Sequence, residues 1–221
     1  MRRIFWILFF SCSAAGLILS FLPPGSWPWW DSSWILLFFV ATYAGMVESE
    51  GLSATRMTAG IVLVSMAVLL GLGALTGWPV GPLRFTEHSG LRLGGAIPLA
   101  LPLFAFALLT ASGQAAAAAM PGSGRTGLAI GTAVAFLVTI ANGTDFLVSR
   151  RIWWLWNPWG DGHAPGRIIF SFLVLGAAAA ILSFAYPVHT SMRRTRWNAA
   201  VIAWLSINLL FLAARLATLL P

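Results

Sequence analysis

Residues 127–148 read GLAIGTAVAFLVTIANGTDFLV, an apolar run whose only strongly polar patch is Asn142-Gly143-Thr144-Asp145. At 1.5 Å per residue a helix of this length covers about 33 Å, enough to cross the roughly 30 Å hydrocarbon core of a bilayer. The stretch therefore reads as a transmembrane helix, with Gly127 and Gly131 spaced to let a neighbouring helix approach closely. Asp145 is the one acid placed well inside such a run, where an ionisable group is costly and points to function by default. A pairing with Arg150 or Arg151 is the structural alternative. Beyond it the chain turns aromatic and charged, with Arg150, Arg151, Trp153, Trp154, Trp156, Trp159, Asp161 and His163.

In both directions from this run the apolar pattern recurs, at 4–22, 32–50, 57–76, 91–111, 168–189 and 199–220. These segments predict an all-α, polytopic membrane helix bundle of seven transmembrane helices, one integral membrane domain over residues 1–221. Composition agrees: 59% of the residues are hydrophobic and 9% charged, against the roughly 45–50% apolar content of a soluble domain. The net charge of +7 comes from arginines alone. They are scattered over loops and helix ends, which suits anchoring at lipid headgroups and argues against a nucleic-acid partner. Cys12 is the single cysteine, which excludes an intrachain disulfide or a zinc site built on several thiolates. Met1-Arg2-Arg3 and the small residues Ser13-Ala14-Ala15-Gly16 resemble a signal peptide, but the apolar run to Leu22 is long enough to be a retained span.

Between the spans, Pro23 to Asp31 reads as a surface loop that sets Trp27, Trp29 and Trp30 at the interface. The second span is short from Trp34 to Val47, so it either borrows Trp30 to Ser33 or brings Glu48 into the bundle. Thr76 to Arg92 is a second chemically rich segment, broken by Gly77, Pro79, Gly81, Pro82 and Gly90 and carrying Arg84, Glu87, His88 and Arg92. Pro98 and Pro102 fall in the fourth span, where each would remove a backbone donor and loosen the helix. Counting arginines in alternate loops favours a cytoplasmic N-terminus, on the strength of Arg193, Arg194 and Arg196. Segments Gly77–Gly90 and Ser149–Gly166 then share the opposite face and would close over one cavity.

Other motifs are coincidental. Gly122-Ser123-Gly124-Arg125-Thr126-Gly127 matches a dinucleotide fingerprint, but an alanine-rich stretch stands where a strand is required. Asn142-Gly143-Thr144 has the form of a glycosylation sequon inside a span. His88, His163 and His189 are too dispersed for the closely spaced boxes of a di-iron enzyme, and no Asp-rich motif is present to hold magnesium, so a metal is not expected.

Thr76-Gly77, Phe85-Thr86-Glu87 and Gly94-Gly95-Ala96-Ile97-Pro98, followed by Thr144-Asp145-Phe146, Trp154-Leu155-Trp156 and Ala164-Pro165, resemble the carotenoid biosynthesis family of membrane 1′,2′-hydratases. That family includes lycopene and γ-carotene hydratases and bisanhydrobacterioruberin hydratases. The two blocks cover about a third of the chain. There are departures: the family's glutamate before Thr-Gly aligns near Leu70, unless Glu48 or Glu50 replaces it, its second acid aligns with Ser149-Arg150, and its asparagine after Val-Pro falls near Ile168. The resemblance implies cofactor-free hydration of the terminal ψ-end double bond of an acyclic or monocyclic carotenoid. It also implies residence in the inner membrane of a bacterium, with a carotenoid lipid as substrate and other pathway enzymes as neighbours. The missing acids support the alternative of a non-catalytic carotenoid-binding or pathway-scaffolding membrane protein. A small-solute transporter is a third class, but the prolines of the fourth span have no counterpart in the other half.

Hydration of such an alkene protonates one carbon, leaves a tertiary cation and adds water. A desolvated carboxyl holds its proton near neutral pH and so serves as the donor. Asp145 is the expected donor, with Glu87 as its partner or as the group that positions water. Asn142 and Thr144 would orient that water. Phe85, Trp153 and Trp154 would face the cation, and Trp156 would stand with Trp153 and Trp154 near the mouth of an apolar slot between the fourth, fifth and sixth spans. The tryptophans also fit a plain interfacial belt.

Overall fold

A computed structural model of the chain describes residues 2–20, 28–79, 83–86, 90–95, 97–145, 154–156, 165–185 and 199–217. Among these residues seven helices are present: α1 (Arg2–Ser20), α2 (Pro28–Glu50), α3 (Leu52–Thr76), α4 (Ala100–Ala119), α5 (Arg125–Asp145), α6 (Pro165–Ala185) and α7 (Ala199–Ala217). Four short strands accompany them: β1 (Leu83–Phe85), β2 (Arg92–Leu93), β3 (Ile97–Pro98) and β4 (Trp154–Trp156).

The faces of these helices are arranged for lipid. Along α5 the branched residues Ile130, Val134 and Val138 are exposed, while Ala129, Thr132, Phe136 and Thr139 are buried. In α3 the exposed residues include Val64, Val68, Leu72 and Leu75, and Thr55, Thr58 and Ala59 turn inward. A helix in water would reverse this order. Leu52–Thr76, Ala100–Ala119 and Arg125–Gly143 are long and apolar enough to cross a membrane. The chain is a membrane protein.

Several inward-facing hydroxyls are satisfied locally or across the bundle, as a medium without water favours, whereas the buried Ser112 hydroxyl has no partner among the described residues. Thr42 donates to Phe38 O at 3.0 Å, Thr132 to Leu128 O at 2.7 Å and Thr139 to Ala135 O at 2.9 Å. Two further bonds join helices: Ser183 Oγ donates to Thr132 Oγ1 at 3.2 Å, and Asn208 Nδ2 to Thr139 Oγ1 at 3.1 Å. They tie α5 to α6 and α7.

α4 is the hub, contacting α2, α3, α5 and α7, and 78% of its apolar window is buried. Its position corrects the expected fourth span at 91–111. Arg92–Leu93 and Ile97–Pro98 form an antiparallel pair instead, with Arg92 opposite Pro98, Leu93 opposite Ile97, and Leu99 N donating to Leu91 O at 2.8 Å. The reason is local: Gly94 (φ 56°) and Gly95 (φ 73°) adopt the left-handed conformation that favours a tight turn. Pro98 consequently lies in β3 and Pro102 in the first turn of α4, where amides have no intrahelical partner to lose. Neither loosens the helix. At its other end α4 continues through Ser112, Gly113 and Gln114, which are buried between neighbours.

A similar correction applies to Pro28, which begins α2 and takes Trp29, Trp30 and Asp31 into the helix instead of a loop. Gly51 alone separates α2 from α3, making the two an antiparallel hairpin. The 121–124 segment is a turn between α4 and α5, with no strand before it, so the apparent dinucleotide motif has no βαβ context. There Arg125 stacks on Phe184, 4.7 Å from its centroid, and donates Nε to Phe184 O at 2.7 Å, covering the last turn of α6.

Candidate functional site

The site is organised by β1 and β4. They pair antiparallel, with Leu83 opposite Trp156, Arg84 opposite Leu155 and Phe85 opposite Trp154. Leu83–Phe85 and Trp154–Trp156, one strand from each of the two chemically rich segments, are thus brought together although far apart in sequence. Local geometry holds β1 in place. Gly77 closes α3 in the left-handed region (φ 73°) and donates its N–H to Gly73 O at 3.0 Å, turning the chain out of the helix. Arg92 then reaches back to donate Nη2 to Phe85 O at 3.1 Å, joining the β2–β3 hairpin to the ribbon. Ile97 of that hairpin packs on Gly71 of α3, where an added Cβ would meet Ile97 Cδ1 at 2.9 Å.

The expected site residues fall as follows. Phe85 is half-buried and packs against the core cluster. Trp154 and Trp156 are the first and last residues of β4, placed opposite Phe85 and Leu83. Asn142 is half-buried in the last turn of α5, and Thr144 and Asp145 complete that helix. Glu87 and Trp153 lie outside the described residues, as do His88, Trp159, His163 and His189.

Below the ribbon the structure gathers side chains that are dispersed in sequence. Gly143 is seated on the ring of Phe211 in α7, so closely that a Cβ there would stand 2.6 Å from Cε2 and 2.9 Å from Cζ. Phe211 in turn meets Trp34 edge-on at 6.2 Å and Phe104 at 6.4 Å. Trp34 and Phe104 are 6.0 Å apart, and Phe38 stacks on Trp34 at 6.3 Å. The last turn of α5 therefore abuts a buried aromatic cluster built from the start of α2, the start of α4 and the later part of α7. Gly90 completes the enclosure from above, since a Cβ on it would be 3.0 Å from Ser32 Oγ, two residues before Trp34. This cluster is absent from the sequence-based expectation. The only signal for it is that each ring sits at the same level of its helix, which is visible only once helix directions are known.

Glu48 and Glu50, expected as stand-ins for an acid near Leu70, are not brought to the ribbon. They end α2, about 24–27 Å along the helix from Ser32 at 1.5 Å per residue, and so at the opposite end of the bundle from the ribbon.

The ribbon has a direct test. Cα atoms of facing antiparallel residues stand roughly 4.5–5.5 Å apart, within disulfide range. In a Cys12→Ser background, Arg84→Cys with Leu155→Cys should cross-link under mild oxidation, and Glu50→Cys with Leu155→Cys should not. Absence of the first cross-link on non-reducing gels would refute the register. Comparisons of the chain with protein-family profiles, with curated proteins and with solved structures found no match.

Proposed function

We propose that this protein acts in carotenoid biosynthesis, as a cofactor-free hydro-lyase that adds water to the terminal ψ-end double bond of an acyclic or monocyclic carotenoid. What supports this reading is the β1–β4 pairing: the blocks carrying the family resemblance adjoin residue against residue, over an aromatic cluster that abuts the helix turn ending in Asp145. A polyene comparable in length to the ~30 Å hydrocarbon core fits along the helices with one end at this face. Asp145 supplies the proton, Glu87 assists or positions water, Asn142 and Thr144 orient it, and Phe85, Trp153, Trp154 and Trp156 line the cation's end. Expression in a lycopene-producing bacterium, followed by pigment chromatography, tests the reading. A more polar, hydroxylated product is expected. Unchanged pigment that co-purifies with the protein would favour a carotenoid-binding or scaffolding role.

In this reading all seven helices cross the inner membrane of a bacterium, with the N-terminus cytoplasmic. Reporter fusions at residues 84 and 155 should both report the outer face, and fusions at 51 and 122 the cytoplasmic face. If residues 84 and 155 reported opposite faces, the seven-span topology would fail, whereas inversion of all four would reverse only the orientation.

A further inference from the structure

Within the aromatic cluster Trp34 is 4% exposed, and its Nε1 is buried with no hydrogen-bond partner among the described residues. A buried donor left unmade is costly, and buried indole N–H groups ordinarily find an acceptor. The rings in contact with Trp34, those of Phe38, Phe104 and Phe211, are hydrocarbon and offer no oxygen. The indole nevertheless sits beside the ring on which Gly143 rests, one residue before Thr144 and two before Asp145. An orphaned donor in an aromatic enclosure against the last turn of α5 is suited to the oxygen at the end of an otherwise apolar ligand.

We propose that Trp34 is a ligand-binding residue whose indole N–H hydrogen-bonds the hydroxyl of a tertiary alcohol terminating a long apolar chain, with Phe104 and Phe211 enclosing the adjacent methyl groups. The hydration proposed above would yield such an alcohol, and only the identity of the natural ligand rests on that reading. Trp34 supplies a donor and an aromatic face, and it takes no part in moving a proton. Such a contact favours the alcohol over the corresponding alkene by about three- to tenfold in Kd, the range of a single net hydrogen bond.

The test uses the full chain in lipid nanodiscs with 15N-labelled indoles. The Trp34 N–H resonance, assigned by its loss in Trp34→Phe, should shift on titration with 2-methyl-2-nonanol and stay in place with 2-methyl-2-nonene. In parallel, a 1-hydroxylated acyclic carotenoid should bind more tightly than its parent hydrocarbon, and Trp34→Phe, which keeps an aromatic ring, should remove that preference while hydrocarbon binding persists. A Trp34 resonance unmoved by saturating alcohol overturns the proposal, as does a preference that survives in Trp34→Phe. A resonance that shifts with the alcohol, together with no binding of either carotenoid, upholds the Trp34 donor and defeats the carotenoid reading instead.

Discussion

Asp145→Asn, introduced into protein shown to hydrate a carotenoid, should lower turnover by at least ~10²-fold, the scale of general acid catalysis. The substitution keeps the size of the side chain and removes its acidic proton. Asp145 closes α5 about one turn beyond Asn142, which sets it at the boundary between the apolar bundle and the ribbon. In the proposed reading its carboxyl acts in the neutral form, as general acid catalysis of alkene protonation requires. Pigment turnover in detergent or nanodiscs measures the effect, with bound pigment quantified separately so that lost binding is not mistaken for lost chemistry. Near-normal turnover of the Asn variant would dismiss Asp145 as donor. A loss confined to Glu87→Gln would transfer the role to Glu87.

Gly143→Val should be the most damaging single substitution of a small residue in the bundle. Phe211 is 1% exposed, and its ring lies 2.6–3.2 Å from where a Cβ on Gly143 would stand. An aromatic ring in contact with Trp34 and Phe104 has no alternative rotamer as readily available as a leucine has, so the cost lies at the upper end of overpacking, about 3 kcal/mol. Gly176 offers a contrast: the atoms nearest its added Cβ belong to the end of Leu137, which can change rotamer, so Gly176→Ala should be milder. Thermal unfolding in detergent compares the two. Phe211→Leu should rescue part of the Gly143→Val loss, and a double-mutant cycle showing strict additivity would mean that the two residues are not in contact.

Seven helices are legible in the sequence because each leaves an apolar run, three of them long enough among the described residues to cross a membrane, and composition excludes most alternatives. Helix ends are less legible. In 91–111 the apolar run alone suggests a span, yet Gly94-Gly95 makes a hairpin there, and the true helix α4 continues through Ser112-Gly113-Gln114. Hydropathy counts these polar residues as an ending, since it cannot register that a central helix has neighbours on nearly every side. Candidate site residues follow from residue type and from family resemblance, but their juxtaposition does not. Leu83-Arg84-Phe85 and Trp154-Leu155-Trp156 are too short to show strand alternation, and nothing local announces that they pair. The Trp34, Phe104 and Phe211 cluster is hidden for a related reason: three helices contribute one ring each, and each ring alone looks like ordinary membrane filling.

The ribbon also imposes a schedule on synthesis. Phe85 and its partner Trp154 leave the ribosome at different times, separated at about 5–20 residues per second by roughly 3 to 14 seconds. During that interval α4 and α5 must be made, while β1 waits with an unpaired edge. Arg92, bonded to Phe85 O, is translated soon after β1 and can occupy part of that edge early. Chains truncated after α4 should therefore insert their first four helices and still lack any assembled site. The ribbon forms late in biogenesis, when a strand from the second half of the chain reaches one that has been waiting in the first.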